Sequence, residues 1–290
     1  MSGLNASLGY FVAAVTFVVS VRFLLKKRPR FSFISEFTSS FMLVACWLEV
    51  QTIVEVGEWA GGLGPDVTLT ILFVVLLTHG IICGDASGNP SLAVQKFMKL
   101  EATTVTTLLD VAAQFIGAHL GLLAAKYYWS LELTDMHMIK NLMISECSTS
   151  LLVSVLQGFF TEFACALVLH IIHLNLCRRS ALIRVPLIAV LLTFLSHSAK
   201  GYTSAYMNPS LAYGLTFHCS GFTFAEYAVV YWLGSLTGMT LAVLLYMGHI
   251  PRIFAKNLLY SQKTRFRVPK TDKAEMQIFT YQCSAVKRRF

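Results

Sequence analysis

The pentapeptide Asn-Pro-Ser-Leu-Ala occurs twice, at Asn89–Ala93 and at Asn208–Ala212. Asparagine is a favoured helix N-cap, because its side-chain oxygen accepts from the first unpaired backbone N–H groups. Proline is favoured at the first helical position, where its missing N–H costs nothing. Asn89-Pro90-Ser91 and Asn208-Pro209-Ser210 therefore each read as a helix start. A helix start carries roughly half a positive charge. Two starts meeting tip to tip repel cations and protons, while the two asparagine amides can donate to the oxygen of a small neutral molecule. A water held by both amides turns its hydrogens away from the centre, which breaks a proton wire. One copy of the motif would be an ordinary capped helix, but two copies in opposed halves of a membrane chain describe a passage for neutral hydrogen-bonding solutes.

Such a passage needs elements to position it. Apolar residues make up 56% of the 290-residue chain and charged residues only 13%, which is the composition of a membrane protein. The length suits six or seven spans of about 20 residues and leaves no room for a separate soluble domain. Seven apolar stretches are candidate spans: Leu4–Leu25, Phe31–Val54, Val67–Cys83, Val105–Trp129, Leu151–Leu176, Val185–Ala199 and Phe224–Met247. Pro90–Leu100 and Pro209–His218 follow the repeated Asn-Pro. Both are too short to cross and are read as re-entrant half-helices.

Lysine and arginine fix the orientation. With the C-terminal tail in the cytosol, 20 of the 23 basic residues fall on the cytosolic side, and only Lys126, Lys140 and Lys200 fall on the other. The first span then starts outside the cytosol and remains as an extra N-terminal span, because a cleavable signal would show the opposite charge bias. The net charge of +8 lies in short clusters flanking apolar runs, so no nucleic-acid partner is expected.

The repeat extends beyond the pentapeptide. Glu36 and Glu162 each lie in the span that opens a half, and each Asn-Pro is followed by a span with two small residues four apart, Gly117 with Gly121 and Gly234 with Gly238. The glycines let helices approach closely. An odd number of crossings separates equivalent points, so the halves face opposite ways and the two half-helices enter from opposite leaflets. Intramembrane carboxylates are costly and mark either a proton path or a need to satisfy backbone donors. Their equivalent places in both halves favour hydrogen bonding to the N–H groups of the re-entrant loops. The domain organisation expected is residues 1–30 for the extra span and basic flank, 31–130 and 131–250 for two repeats, and 251–290 for a basic cytosolic tail.

The paired Asn-Pro motifs, both glutamates, Ala113-Gln114-Phe115-Ile116-Gly117-Ala118 and Tyr231-Trp232-Leu233-Gly234 together resemble the aquaporin (major intrinsic protein) family from about Glu36 to Met247. The resemblance is to its unorthodox, or superaquaporin, branch and most of all to the aquaporin-twelve type. The altered first motif, Cys219 eleven residues after the second asparagine, and the Tyr-Trp-Leu-Gly run carry it. It implies an all-α integral membrane fold with an inverted repeat of three spans plus a half-helix each. It also implies a homotetramer and an intracellular membrane such as the endoplasmic reticulum. Exclusion of ions by opposed half-helix dipoles is a recognised mechanism of aquaporin-type pores.

Departures from the family pattern shape the expected filter. Ser91 and Ser210 stand where alanine is usual. Leu211 stands where an arginine usually narrows and charges the constriction. Ser196, with His197 beside it, holds the position of a histidine in classical water channels. Ala205 is the third filter position, and the fourth falls at Thr68 or Leu69. The filter is expected to be wider and more apolar, admitting glycerol or hydrogen peroxide as well as water, unless Leu211 seals it. The competing classes are a poorly conducting structural or junctional membrane protein and a coupled secondary transporter. The transporter lacks ionisable residues at the meeting point.

No enzyme constellation is found, and no cofactor or metal is expected. His170 and His173, at i and i+3, lack a carboxylate at matching spacing and read as interfacial packing. His79 and Asp85 flank the first re-entrant loop, either lining a vestibule or bonding its backbone. Cys147 and Cys219 lie on the side where a disulfide is permitted, but two unpaired thiols is the expectation.

Overall fold

The computed structural model of the chain describes residues 3–25, 31–57, 65–84, 86–147 and 149–248. The regular elements among them are all helical: α1 (Gly3–Leu25), α2 (Ser32–Gly57), α3 (Pro65–Cys83), α4 (Pro90–Met98), α5 (Thr104–Ser130), α6 (Asp135–Leu142), α7 (Val155–Leu176), α8 (Ala181–Ser198), α9 (Pro209–Leu215) and α10 (Phe224–Tyr246). Helices α1, α2, α5, α7, α8 and α10 are long and apolar enough to cross a bilayer. Helix α3 carries a shorter apolar stretch, Val67–Cys83, in the place of the second span of the first half. The basic tail 251–290, expected on the cytosolic side, and the basic cluster 26–30 lie outside the described residues.

Two spans start elsewhere than hydropathy places them, for reasons of capping. Helix α7 begins at Val155 rather than Leu151, because Ser154 and Gln157 form a reciprocal capping box that fixes the first turn there. Helix α8 begins at Ala181 rather than Val185, after Ser180 at its N-cap. Pro186 lies inside α8, in its second turn, where its missing N–H leaves the Leu182 carbonyl without the usual helical donor. The first and last spans of each half then pack closely. A Cβ on Gly117 would run into the Phe37 carbonyl of α2, and one on Gly238 would run into the Phe163 carbonyl of α7. Phe37 and Phe163 each directly follow the glutamate of their half, so the same contact recurs in both repeats. Gly121 and Gly234 make the neighbouring approaches, to the Phe41 and Phe159 carbonyls.

Within α10, Ala228–Gly234 winds as a π-helix. Side chains from this segment tie the span to the second re-entrant loop: Tyr231 Oη donates to Thr203 O (3.1 Å) and Trp232 Nε1 to Pro209 O (3.2 Å).

Helix α1 stands outside the repeat. It buries Ala6, Ser7, Tyr10, Ala14 and Val18 and exposes Leu8, Phe17 and Phe23. Its polar anchor is Glu49 of α2, fully buried, which accepts from Ser7 Oγ, from Trp129 Nε1 of α5 (3.0 Å) and pairs with His137 Nε2 of α6 (2.9 Å). Sequence reading did not anticipate α6, whose eight residues are too few and too polar to register as a span.

Candidate functional site at the meeting of the two half-helices

Each asparagine caps its own half-helix and reaches across to the other. Asn89 Oδ1 accepts from Ser91 N (2.9 Å), and Asn208 Oδ1 accepts from Ser210 N (3.1 Å) and Leu211 N (3.3 Å). Asn89 Nδ2 donates to Met207 O (3.0 Å), and Asn208 Nδ2 donates to Gly88 O (2.9 Å). Gly88 and Met207 are the residues just before the opposing asparagines, so the two tips are cross-braced. An amide group carries two N–H donors. The brace uses one on each side and leaves the second N–H of each amide without a bond among the described residues.

Proline occupies the first helical position in both copies, at Pro90 and Pro209. The serines differ. Ser210 Oγ lies 3.0 Å from Gly88 O and 2.9 Å from Asn208 Oδ1, and accepts from Ser40 Oγ (3.2 Å). Ser91 Oγ is buried with no hydrogen-bond partner among the described residues. Gly88 has φ +59°, and a Cβ there would meet the Ser40 backbone nitrogen at 2.8 Å, so this position needs glycine on two counts.

The loops entering each asparagine are held by the two glutamates. Glu36 Oε2 accepts from Ser87 N (3.0 Å), Gly88 N (2.9 Å) and Gln114 Nε2 (2.8 Å). Glu36 Oε1 lies 3.5 Å from Lys96 Nζ. Glu162 accepts from Tyr206 N (3.0 Å) and Met207 N (2.8 Å), with Ser235 Oγ at 3.5 Å. In both halves the carboxylate takes the N–H groups of the two residues before the asparagine. The carbonyl of the second of these is the acceptor for the opposite amide. Glutamate, loop and asparagine thus form one hydrogen-bonded frame across the pseudo-symmetric centre.

Two cavities lie within the bundle, and one of them reaches the frame. An inner cavity of about 150 Å³ is lined by Asn89, Asn208, Ala205, Leu211, His173 and Arg184, among others. An outer cavity of about 420 Å³ is lined by Ser196, His197, Thr68 and Leu69, with Lys126, Lys140 and Lys200. The expected filter positions therefore divide: Ala205 and Leu211 face the inner space, whereas Ser196, His197 and both candidates for the fourth position face the outer one. Trp47 of α2 lines both cavities. It stands edge-on to Tyr206, with ring centroids 5.9 Å apart. Tyr206 Oη bonds Ser150 Oγ (2.6 Å) and accepts from Gln51 Nε2 (3.4 Å). Sequence reading missed Trp47 and Tyr206. The available signals were a tryptophan in the interior of a span and a tyrosine two residues before an N-cap.

Three further expectations change or gain detail. Cys147 and Cys219 are joined as a disulfide with Cα atoms 4.9 Å apart, not left as free thiols. The turn after α9 brings Cys219 back beside the segment preceding α7, which spacing alone does not reveal. His218 Nε2, Cys147 Sγ and Cys219 Sγ lie within 4.8 Å of one another, but the disulfide engages both sulfurs. Peptide mapping without reduction is expected to recover Cys147 and Cys219 in one cross-linked fragment that separates on reduction; two independently alkylated peptides would contradict the pairing. His170 is fully buried rather than interfacial, and bonds Gln95 Oε1 of α4, while Gln95 Nε2 and His173 Nδ1 are 3.3 Å apart. His79 lines the inner cavity, and its Nε2 lies 2.9 Å from Ser39 Oγ and 3.2 Å from Ser39 O of α2 rather than on the loop backbone, which Ser39 Oγ reaches at Ala86 O (3.1 Å). Asp85 lies outside the described residues.

Comparison with known proteins agrees with this architecture. Residues 25–246 match the family model described as Major intrinsic protein. The chain is 42% identical over 274 residues to Aquaporin-12 of Mus musculus, covering 93% of this chain and 94% of that protein. It is 29% identical over 220 residues to Aquaporin-11 of Homo sapiens, covering 76% and 79%. Among solved structures, the aquaglyceroporin from Plasmodium falciparum is similar in fold, with a TM-score of 0.57 at 15% identity over 77% of this chain and 97% of that one. A family model matching most of the chain, relatives matched along nearly their whole length and a shared fold lead to one conclusion: this chain belongs to the major intrinsic protein family of membrane channels, in its unorthodox aquaporin branch.

Proposed function

We propose that the chain passes water and small neutral solutes, with glycerol and hydrogen peroxide as the next candidates, and rejects ions and protons. The observation that carries this reading is the cross-braced frame: two helix starts joined tip to tip, each asparagine keeping one N–H for a solute beside the same inner cavity. The positive ends of two helices at one point oppose a cation. Two fixed donors on a lining whose one Lys, Arg, Asp or Glu among the described residues is Arg184 suit a solute that accepts hydrogen bonds and carries no charge. The aquaporin names of the relatives support water as a solute. A homotetramer in an intracellular membrane, with the C-terminus cytosolic, and the division into residues 1–30, 31–130, 131–250 and 251–290 belong to the same proposal.

The two cavities are distinct, Trp47 is the side chain that lines both, and Leu211 adds an apolar wall to the inner one. That observation favours a second reading, a channel sealed at the filter and serving as a structural membrane protein. Purified full-length chain in liposomes, tested with water, glycerol and hydrogen peroxide, separates the two. Flux above that of empty vesicles supports the channel, and its absence for all three supports the sealed form. In a conducting chain, Leu211→Arg places a long charged side chain in an apolar wall. Glycerol flux is expected to fall about tenfold or more, the change produced by about 1.4 kcal/mol of added barrier. An unchanged glycerol-to-water ratio would remove Leu211 from the filter.

A further inference from the structure

The three lysines outside the basic flanks are far apart in sequence, yet all of them line the outer cavity. Lys126 comes from α5, Lys140 from α6 and Lys200 from the turn after α8. Among the described side chains the one carboxylate on that lining is Glu55, and it is paired with Lys140. Lys140 is further held over the Trp129 ring, 5.4 Å from its centroid. The positive potential is felt by a neighbour. Desolvation at the cavity wall, and then the Lys126 and Lys140 charges, hold the His218 imidazole down at about 4, so it is uncharged at neutral pH. Among the described residues the inner cavity has one Lys, Arg, Asp or Glu on its lining, Arg184, and Leu211 on the same lining is uncharged.

We infer that Lys126, Lys140 and Lys200 form a charge-sorting ring at the outer mouth, which repels cations and gathers anions before a solute reaches the uncharged constriction. The inference rests on the channel reading, and assigns the fixed charge absent at Leu211 to a wider ring one cavity further out. Rings of like charge at a low-dielectric mouth focus the field and change local ion concentrations by factors of ten or more. A ring in a wide cavity excludes by charge without narrowing the path, which is compatible with passage of solutes larger than water. Its effect also depends on salt, since the screening length falls from about 10 Å at 0.1 M to about 3 Å at 1 M.

The test compares full-length chain with a triple variant, K126Q/K140Q/K200Q, in liposomes. Formamide and formamidinium have nearly the same shape but differ by one charge. The ring predicts unchanged formamide flux and a formamidinium flux raised about tenfold or more in the variant, with the wild-type exclusion weakening in high salt. Equal exclusion of formamidinium by both chains, or a parallel change in both solutes, would overturn it. A second readout needs no permeation. With Leu152→Cys, on the same lining, an anionic and a cationic methanethiosulfonate reagent report the local potential through their relative rates, corrected for chain lacking that cysteine. The anionic-to-cationic ratio is expected to fall about tenfold in the triple variant. A changed ratio in a chain that passes neither solute would keep the ring and reject the channel; an unchanged ratio would reject the ring.

Discussion

Replacing Glu162 by leucine is expected to cost the second half of the channel its fold. The carboxylate is fully buried and accepts the N–H groups of Tyr206 and Met207. Those donors belong to the backbone, and proline, the one residue without an N–H, is excluded at Met207 by its φ of 50°. Each buried donor left unpaired costs about 1–3 kcal/mol, so the pair costs about 2–6 kcal/mol. The loop has little tolerance for the loss, because Ser204, Ala205 and Met207 all sit at positive φ, at 65°, 43° and 50°. Non-glycine residues in that region persist only where their surroundings over-determine them. Removing the anchor releases the loop toward ordinary backbone conformations and withdraws the Met207 carbonyl from Asn89. Glu162→Gln keeps one acceptor oxygen and is expected to lose about half as much. Thermal unfolding in detergent, followed by monodisperse recovery, checks the order wild type, glutamine, leucine. A leucine variant that melts with the wild type would mean that the frame is not held by Glu162.

Much of this frame was legible from residue types alone. Asn-Pro at a helix start is local chemistry, and the N-cap bonds of Asn89 and Asn208 are what that chemistry predicts. The glutamates were readable because an intramembrane carboxylate demands donors, and re-entrant loops are where donors lie unpaired. The glycine approaches followed from small residues spaced four apart in a span. What the sequence hid was non-local. The cross-brace from each amide to the carbonyl before the other asparagine joins residues 118 and 120 apart in sequence. The pairing of Cys147 with Cys219 across 72 residues depends on where two loops come to rest. Trp47 and Tyr206 take their place through packing, which no pattern of period or spacing encodes. The convergence of Lys126, Lys140 and Lys200 on one cavity was equally invisible, because charge bias assigns residues to a side of the membrane and not to a place on it.

The second large effect is expected at Glu49, and it reaches the outer mouth through the extra helix. Glu49 receives Ser7 of α1, Trp129 of α5 and His137 of α6, and Ser7, Glu49 and His137 are fully buried. Glu49→Ala leaves Ser7, Trp129 and His137 without their shared acceptor, and each buried polar group left unpaired costs about 1–3 kcal/mol. Glu49→Gln keeps the shape and one acceptor, so the difference between the two variants reports the acceptor rather than the volume. Helix α1 is further tied by Tyr128 Oη donating to Ala6 O (2.7 Å), together with contacts such as Phe17 on Phe41. These contacts, the burial of Tyr10, Ala14 and Val18, and the Lys140–Glu55 pair remain in the variant, so α1 and α6 are expected to loosen rather than to unfold. Helix α6 also carries Lys140, so its loosening should alter the outer cavity as well as stability. Two outcomes are expected of Glu49→Ala: a lower melting temperature in detergent, and faster proteolysis within residues 131–142. A combined Glu49→Ala and His137→Ala variant should lose less than the sum of the two single variants, because the pair is removed together. Strict additivity would mean that Glu49 and His137 do not depend on each other, and α6 would then be docked by its apolar contacts alone.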